Sequence, residues 1–347
     1  MIGTSDWGNC SRSYDSADLA LTRGSVRLDL FAGSAVLIDP SRVDRHKPGE
    51  HLYGAYGSIR GWIPDSTLEP YLLFKQVRQV TGEKGGLGDA LLATPGVRLT
   101  GKAPWRVDYT VEVAVQRGSY SADRVSAMAG SYVVGWTANG SALKPRISVE
   151  YSHASGDSSS KDGSRGTFDQ LWASNHQYYG IADQVGWRNL RNPRAGFDCL
   201  VAKNLKLRAD FHEFYPATVQ DGLYNAGGTR TVMNGRASSR HVGSEFDIQT
   251  QYQWSPTPAV RGRLLEAIDQ SRRLLLSLYF FYEEDLAARG RSLERPLANA
   301  RGSVDSIGYR AATVRERHLP RATRVCSMIP KNSARAIGTR GAGLYWR

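Results

Sequence analysis

Alternation of apolar and polar residues is the dominant pattern in the chain. Between residues 106 and 116 the odd positions are Val, Tyr, Val, Val and Val, whereas the even positions are mostly charged or polar. Between residues 242 and 254, aromatic and aliphatic residues alternate in the same way with Glu245, Asp247 and three glutamines. Because successive side chains of a strand point to opposite faces, each segment predicts a β-strand with one apolar face and one polar face.

Shorter segments with the same period extend this prediction over most of the chain. They lie at residues 26–30, 97–102, 132–136, 146–152 and 205–212, with weaker candidates at 17–21, 52–62, 68–76, 195–201 and 259–265. The predicted total is about a dozen strands. Tight connections at 102–104 and 203–204 contrast with long connections, rich in Gly, Ser and Asn, at 154–183 and 214–240. Short turns at one end and long loops at the other are typical of outer-membrane β-barrels.

The predicted fold class is therefore all-β: a transmembrane antiparallel up-and-down β-barrel, incomplete at about a dozen strands, with a non-barrel C-terminal tail. The apolar faces carry aromatic rings near the strand ends, namely Tyr132, Trp136, Tyr151, Tyr252 and Trp254. Such rings favour the membrane interface, where one side of the ring is wet and the other dry. A soluble sandwich also alternates, so a soluble all-β carbohydrate-binding module or enzyme remains the alternative.

The alternation stops near residue 260. Residues 261–286 predict a local helix, with leucines spaced for one face, and the remainder is rich in arginine without a consistent period. We therefore predict two parts, a partial barrel domain over residues 1–260 and a helical or disordered basic tail over residues 261–347. The tail is expected to lie outside the barrel, as a non-native extension that arose from a frame change or readthrough.

Charge and hydropathy argue against two classes of protein, nucleic-acid binders and helical membrane proteins. The formal net charge is +12, but residues 286–347 hold 13 of the 45 Lys/Arg and only three of the 33 Asp/Glu, so the rest of the chain is nearly neutral. A nucleic-acid binder would depend on this tail, and we expect no nucleic-acid partner. The sequence has no stretch of 18 apolar residues, which excludes a helical membrane span.

Motifs for catalysis, metal binding or cofactor binding are weak. Cys10, Cys199 and Cys326 are widely separated and lack CxxC spacing, so we predict no metal and no cofactor. The Gly-rich segment 82–88 lacks the spacing of a P-loop, and the Gly-x-Ser-x-Gly motif of hydrolases is absent. Aspartates in the long loop after residue 154 could bind calcium, although acidic Ser/Gly-rich loops are usually only solvated. The sequence therefore favours a protein that is not an enzyme.

Six spaced motifs carry a resemblance to a known family. They are DRHKPGE at 44–50, QRG at 116–118, YSHASGD at 151–157, GTFDQLW at 166–172, GWRN at 186–189 and RHVG at 240–243. Together, from about residue 6 to residue 258, they resemble the alginate-export family of outer-membrane barrels. The resemblance implies a location in the cell outer membrane and a pore lined by arginines through which an anionic polysaccharide, or small polar or anionic solutes, diffuse passively. It also implies outer-membrane lipid and the barrel-assembly machinery as partners.

The two ends of the sequence differ from what the resemblance implies. Residues 1–6 lack the basic start and the apolar stretch of a secretory signal. The last three residues are Tyr-Trp-Arg, without the terminal aromatic strand that barrel assembly recognises. We therefore expect an internal piece of a barrel gene, truncated at its start and out of frame after about residue 260.

The polar faces supply the candidate pore-lining residues. A polyuronate carries one carboxylate per sugar, so its passage needs exchangeable cationic contacts. The predicted inward residues are Arg27, Arg98, Lys102, Arg106, Arg146, Lys206 and Arg208 as cations, and Asp29, Asp108, Glu112, Glu150, Asp210, Glu245 and Asp247 as anions. Because seven cations face seven anions, pairing across strands to rigidify the wall is an equal alternative for each residue. The resemblance favours Arg188 and Arg191 as conduit residues, with loop anchoring as the alternative for both.

Overall fold

The computed structural model describes residues 2–3, 12–37, 41, 44–138, 140–232, 240–253, 273–283 and 310–311, with only the backbone described at 253, 273–283 and 310–311. Its strands are, in chain order, β1 (Tyr14–Arg23), β2 (Val26–Leu37), β3 (Arg45–His46), β4 (Glu50–Arg60), β5 (Ser66–Thr81), β6 (Leu87–Ala103), β7 (Val107–Tyr120), β8 (Asp123–Thr137), β9 (Arg146–Ala154), β10 (Ser164–Arg165), β11 (Leu190–Ala202), β12 (Leu205–Pro216), β13 (Leu223–Tyr224), β14 (Arg230–Val232), β15 (Gly243–Gln253), β16 (Arg273–Glu283) and β17 (Arg310–Ala311). Two 3-10 turns span Pro104–Arg106 and Asn175–Gln177. No helix in this part of the chain is long and apolar enough to cross a membrane.

The long strands form one antiparallel meander. Each pairs with the next long strand along the chain, in the order β1-β2-β4-β5-β6-β7-β8-β9-β11-β12-β15-β16, and β17 extends the edge. Between β7 and β8, for example, pairing runs without interruption from Val107 opposite Trp136 to Tyr120 opposite Asp123. The prediction of an all-β, up-and-down fold with about a dozen strands is confirmed. Within the described residues the sheet is not closed, and its edges are β1 and β17.

The long connections leave the sheet at one end. Residues 155–189 link β9 to β11, and residues 217–242 link β12 to β15, both at the same end of the strands. The tight turns Pro104–Arg106 and 203–204 lie at the opposite end, as the sequence predicts. The sheet therefore has the asymmetric ends that are typical of outer-membrane barrels.

The apolar faces of the strands point outward. On β9, Ile147, Val149 and Tyr151 are 55%, 64% and 43% exposed, whereas Glu150 lies on the opposite face. Phe246 on β15 is also more than a third exposed. A sandwich would bury these side chains against a second sheet, so the described fold is not a sandwich. The apolar exterior instead suits contact with hydrocarbon.

The buried core lies between the inner face of the sheet and the loop 155–189, which we call the inner loop. The sheet contributes inward-facing residues that include Leu52, Tyr56, Tyr71, Leu73 and Ala114. The inner loop contributes Phe168, Leu171, Trp172, Tyr179 and Trp187. The interior of an outer-membrane barrel is otherwise polar, so this core shows that the inner loop fills part of the space that the sheet surrounds.

The sheet continues beyond the predicted end of the barrel domain near residue 260. The helix expected over residues 261–286 is wrong at Arg273–Glu283, which is strand β16 and pairs antiparallel with β15 over its whole length. Its residues 274–282 are almost all aliphatic or aromatic, and a short apolar run of this kind does not distinguish strand from helix by its period. The rest of the predicted tail, apart from Arg310–Ala311 paired with β16, lies outside the described residues.

We expect a charge on the outer face to destabilise the sheet in a bilayer. Replacement Val149→Lys places an ammonium group against hydrocarbon, which costs ~2–4 kcal/mol near the middle of the membrane. The measurement is the free energy of unfolding, obtained from a denaturant titration of the protein in lipid vesicles.

The matched control is Gln251→Lys, because Gln251 lies on the inner side, where it lines a cavity. This variant should unfold at nearly the wild-type denaturant concentration. Equal destabilisation by the two lysines would contradict the assignment of the outer and inner faces.

Candidate functional site

Asp169 is the main anchor of the inner loop. Its carboxylate accepts a hydrogen bond from Lys75 Nζ on β5 at 2.9 Å, and it also pairs with Arg188 at the end of the same loop. The backbone of Asp169 exchanges two hydrogen bonds with the Gln116 side chain on β7, at 2.8 and 3.0 Å. Burial alone would raise the pKa of Asp169, but the charges of Lys75 and Arg188 outweigh it and hold this pKa well below its usual range. The carboxylate therefore stays ionised.

A second attachment joins the inner loop to the first strands. The indole of Trp172 donates from Nε1 to Glu50 Oε1 on β4 at 2.7 Å, and its ring stacks on Tyr14 of β1 with centroids 5.0 Å apart. Arg12 donates to the carbonyl of Trp172 at 2.6 Å. Lys47 in turn pairs with Glu50 at 2.5 Å. These contacts fix the inner loop to β1 and β4, near the N-terminal edge of the sheet.

A third attachment joins the inner loop to the far side of the sheet. On β15, Glu245 Oε1 accepts the backbone N–H of Ala182 at 2.7 Å, and Asp247 Oδ2 accepts that of Ile181 at 3.3 Å. The preceding Gly180 has φ +88°, and a Cβ there would lie 2.3 Å from Glu245 Oε2. Since a single loop touches strands from β1 to β15, the sheet must curve around it.

The space left between the inner loop and the wall is a cavity of about 850 Å³. Its charged lining residues are Arg98, Glu112, Arg146, Glu150, Arg194, Asp198, Lys203, Lys206 and Arg208. Its aromatic lining residues are Phe31, Tyr56, Tyr71, Tyr178, Tyr179 and Trp187. The strand alternation thus delivers a polar, charged wall to the interior.

Most arginines of this wall carry a carboxylate partner. Arg194 pairs with Glu150 at 3.0 Å and with Asp210 at 2.7 Å. Arg146 pairs with Asp108 at 2.6 Å and with Asp198 at 3.3 Å. Arg27, Arg98 and Arg208 pair with Asp29, Glu69 and Asp210 respectively. The pairing that the sequence left open is therefore present, and it orders the arginine side chains along the wall.

The lysines at the turn end of the wall differ from the arginines. Lys203 and Lys206 are exposed, line the cavity and form no ion pair within the described part of the chain. Lys102 is likewise exposed, at the end of β6 opposite Asp108. An ammonium group without a fixed partner can exchange its contacts readily.

Six of the predicted pore-lining residues lie on the cavity wall. They are Arg98, Arg146, Lys206, Arg208, Glu112 and Glu150. Glu112 accepts a hydrogen bond from the Tyr71 hydroxyl at 2.8 Å. Glu245 and Asp247 also face inward, but they are 0% and 2% exposed beneath the inner loop. The prediction that they line the pore is wrong, because the loop backbone covers them.

The placement of Arg106 and Arg191 differs from the prediction. Arg106 lies in the 3-10 turn that Pro104 begins, with φ +66°, and its exposed side chain is therefore not on a strand face. Arg191 is exposed on the outer face of β11, between His153 of β9 and Tyr215 of β12. Both inward assignments are wrong.

Arg194 is the inward arginine that the sequence reasoning missed. The strand prediction began at residue 195, after Pro193, a residue that argues against a strand interior. β11 in fact begins at Leu190, and Arg194 has the same parity as Asp198, which lines the cavity. Extending the predicted strand backwards by one residue would have included it.

Arg188 anchors the inner loop, which was the alternative to a conduit role. In addition to Asp169, its guanidinium donates to the carbonyl of Gly228 at 3.1 Å and lies 5.5 Å from the Tyr224 ring centre. These contacts tie the inner loop to the second long loop, 217–242.

Calcium binding by the aspartates of the inner loop has no support, since the described residues hold no group of three metal-binding side chains.

Most of the chain matches a known protein family. A family model described as "Alginate export" matches residues 1–267. The chain belongs to the alginate export family. It is therefore an outer-membrane protein of a Gram-negative bacterium, and its environment is a lipid membrane. The resemblance and the location expected from the sequence are confirmed.

Solved structures agree with this membership at the level of the fold. Nineteen chains match, and one is the crystal structure of Pseudomonas aeruginosa OccK11 (OpdR), with a TM-score of 0.50 and 12% sequence identity. The match covers 79% of the alginate export chain and 66% of the OccK11 chain, so the present chain spans just under two thirds of that protein. No curated protein sequence matches.

We expect neutralisation of Asp169 to release the inner loop of this alginate export protein. In Asp169→Asn, Arg188 loses its carboxylate and Lys75 keeps only Glu50 at 3.8 Å, while the two side chains remain 16% and 9% exposed. An uncompensated cation at such depth costs ~3 kcal/mol. Hydrogen exchange of the loop amides, Phe168 and Tyr179 among them, should become more than a hundredfold faster.

The control is Asp162→Asn, because Asp162 is exposed and its carboxylate bonds only to the nearby N–H of Ser164, at 2.8 Å. Hydrogen exchange of the inner-loop amides should stay at the wild-type rate in this variant.

The lowered pKa of Asp169 also gives a pH dependence. The stabilisation from its carboxylate is complete above the unfolded carboxyl pKa of about 3.9 and is lost as the pH falls through the lower folded value. A loop that already opens between pH 5 and 7 would contradict this anchor.

Proposed function

We propose that the protein is an outer-membrane channel through which anionic polysaccharide of the alginate type, or small polar or anionic solutes, move by passive diffusion. The observation that carries this proposal is the charged cavity between the inner loop and the inner face of a sheet whose outer face is apolar. A solute crosses such a space only if wall groups replace its hydration without trapping it. Membership of the alginate export family supports the polysaccharide as solute.

The charges of the wall suit transient contact with carboxylates. Arg98, Arg146 and Arg194 are held in place by acidic partners, so each offers a solute a partly neutralised guanidinium. Lys203 and Lys206 supply unpaired positive charge at the turn end of the cavity within the described structure. Ordered arginines with weak net attraction, followed by exchangeable lysines, would allow a polyanion to bind and leave.

We propose no catalytic residue and no cofactor for this activity. The partners we propose are the lipid, the transported solute and the barrel-assembly machinery, and we propose no nucleic acid. The basic tail after residue 286 is the part on which a nucleic-acid role would depend. Loss of salt-sensitive DNA binding on deletion of that tail would count against the proposal.

The test is conductance of the full chain in planar lipid bilayers. We expect ohmic current steps in potassium chloride, which short oligomannuronates reduce in a concentration-dependent manner. Neutral β-1,4-linked glucose oligomers of the same length serve as the comparison and should block less. Absence of current from protein that is correctly folded in the bilayer would contradict the channel.

The position of the inner loop predicts the effect of a single methyl group. In Gly180→Ala, the added Cβ meets Glu245 Oε2 at 2.3 Å, so the loop should move away from β15 and the conductance should rise. Backbone strain at positive φ contributes ~1–3 kcal/mol in the same direction.

Gly140→Ala is the control for strain alone. Gly140 has φ +71°, and nothing lies within 4 Å of its added Cβ. This variant should conduct as the wild type does. An unchanged conductance in Gly180→Ala, with the loop amides exchanging faster, would show that the inner loop does not limit the current.

A further inference from the structure

The inner loop contributes two tyrosines to the cavity wall, of which Tyr178 is the exposed one. Tyr178 follows the 3-10 turn Asn175–Gln177, and its backbone N–H bonds to the Asn175 carbonyl at 2.9 Å. The turn is fixed by the Asn175 side chain, which donates to Gln170 Oε1 at 2.8 Å and to the Ala226 carbonyl at 2.7 Å. Local geometry therefore sets the direction of the Tyr178 ring.

Tyr178 is the most exposed aromatic side chain of the cavity wall. It is 42% exposed, whereas its neighbour Tyr179 is 5% exposed and stacks on Trp187. Tyr56 and Tyr71 stack on each other at 5.7 Å and are almost fully buried. The faces of these other rings are thus already in contact with protein.

Charged residues from two parts of the wall line the same cavity as Tyr178. They are Arg98 and Glu112 on β6 and β7, and Glu150 and Arg194 on β9 and β11. Arg98 pairs with Glu69, and Arg194 pairs with Glu150 and Asp210. The exposed ring and two arginines with acidic partners therefore face one cavity.

We propose that Tyr178, which shares its cavity with Arg98 and Arg194, is the sugar contact of the passage, against which a uronate ring stacks while an arginine meets its carboxylate. This inference rests on the proposed function and names the site at which the solute is recognised. A pyranose has an apolar face of C–H groups, which packs on an aromatic ring, and its carboxylate at the ring edge matches the guanidinium fork. Because both arginines already have acidic partners, the contact is weak enough to release the sugar.

The arrangement makes the tyrosine ring, rather than its hydroxyl, the recognising group. A phenylalanine at the same position keeps the stacking face, whereas an alanine removes it. The ring contact also acts on neutral sugars, and only the arginines distinguish the uronate from them. Two substitutions and two sugars therefore separate the two contributions.

The experiment compares wild-type protein, Tyr178→Ala and Tyr178→Phe as full chains. Trimannuronate and the neutral trimer of β-1,4-linked glucose are the probes, measured by current block in bilayers and by calorimetric titration in detergent. Tyr178→Ala should weaken the association of both sugars about tenfold. Tyr178→Phe should stay within about twofold of the wild type, since stacking does not need the hydroxyl.

The control is Tyr151→Ala, because Tyr151 has nearly the same exposure, 43%, on the lipid side of β9. It should leave sugar association unchanged. Wild-type association of trimannuronate in both Tyr178 variants, with normal current, would overturn the sugar contact and leave the channel intact. Lack of current with tyrosine-dependent calorimetric binding would instead contradict the channel and support the contact.

Discussion

The hydrogen-bond requirement of the peptide backbone in hydrocarbon is the constraint on which this structure depends. A lipid-facing strand has no water to satisfy its N–H and C=O groups, so each strand must pair along its full length with neighbours on both sides. The antiparallel meander from β1 to β16, in which each long strand pairs with the next, follows from this requirement. This pairing also fixes which face of each strand points outward. Because successive side chains alternate, the residues before and after each lipid-facing apolar residue point into the interior.

Side-chain contacts determine the structure of the interior. The charged residues of the inner face have two roles, which depend on whether the inner loop covers them. Glu245, Asp247 and Asp169 are covered, and they hold the backbone or the cations of the inner loop. Arg98 and Arg194 line the cavity, and their acidic partners hold them along the wall. A count of inward charges therefore says little about selectivity until the path of the loop is known.

Strand number, strand faces and the family could be predicted because they depend on local alternation and on motif order. The inner loop could not be predicted, since its anchors join residues far apart in sequence: Lys75 to Asp169, and Glu50 to Trp172. Two errors have local causes. Pro193 concealed the start of β11, so the alternation was not followed to Arg194, and Arg191 was favoured from the resemblance alone. The apolar run of β16 fits a strand or a helix equally well by period.

The inner loop connects the membrane fold to the proposed passage. Its anchors on β1, β4, β5, β7 and β15 use inward positions that would otherwise be solvated, and each exchanges water contacts for contacts within the protein. The anchors are distributed over many strands, and Asp169, which holds both Lys75 and Arg188, is the main one. The loop can therefore hold Tyr178 at a defined point of the cavity that Arg98 and Arg194 also line, although no regular element longer than one 3-10 turn supports it.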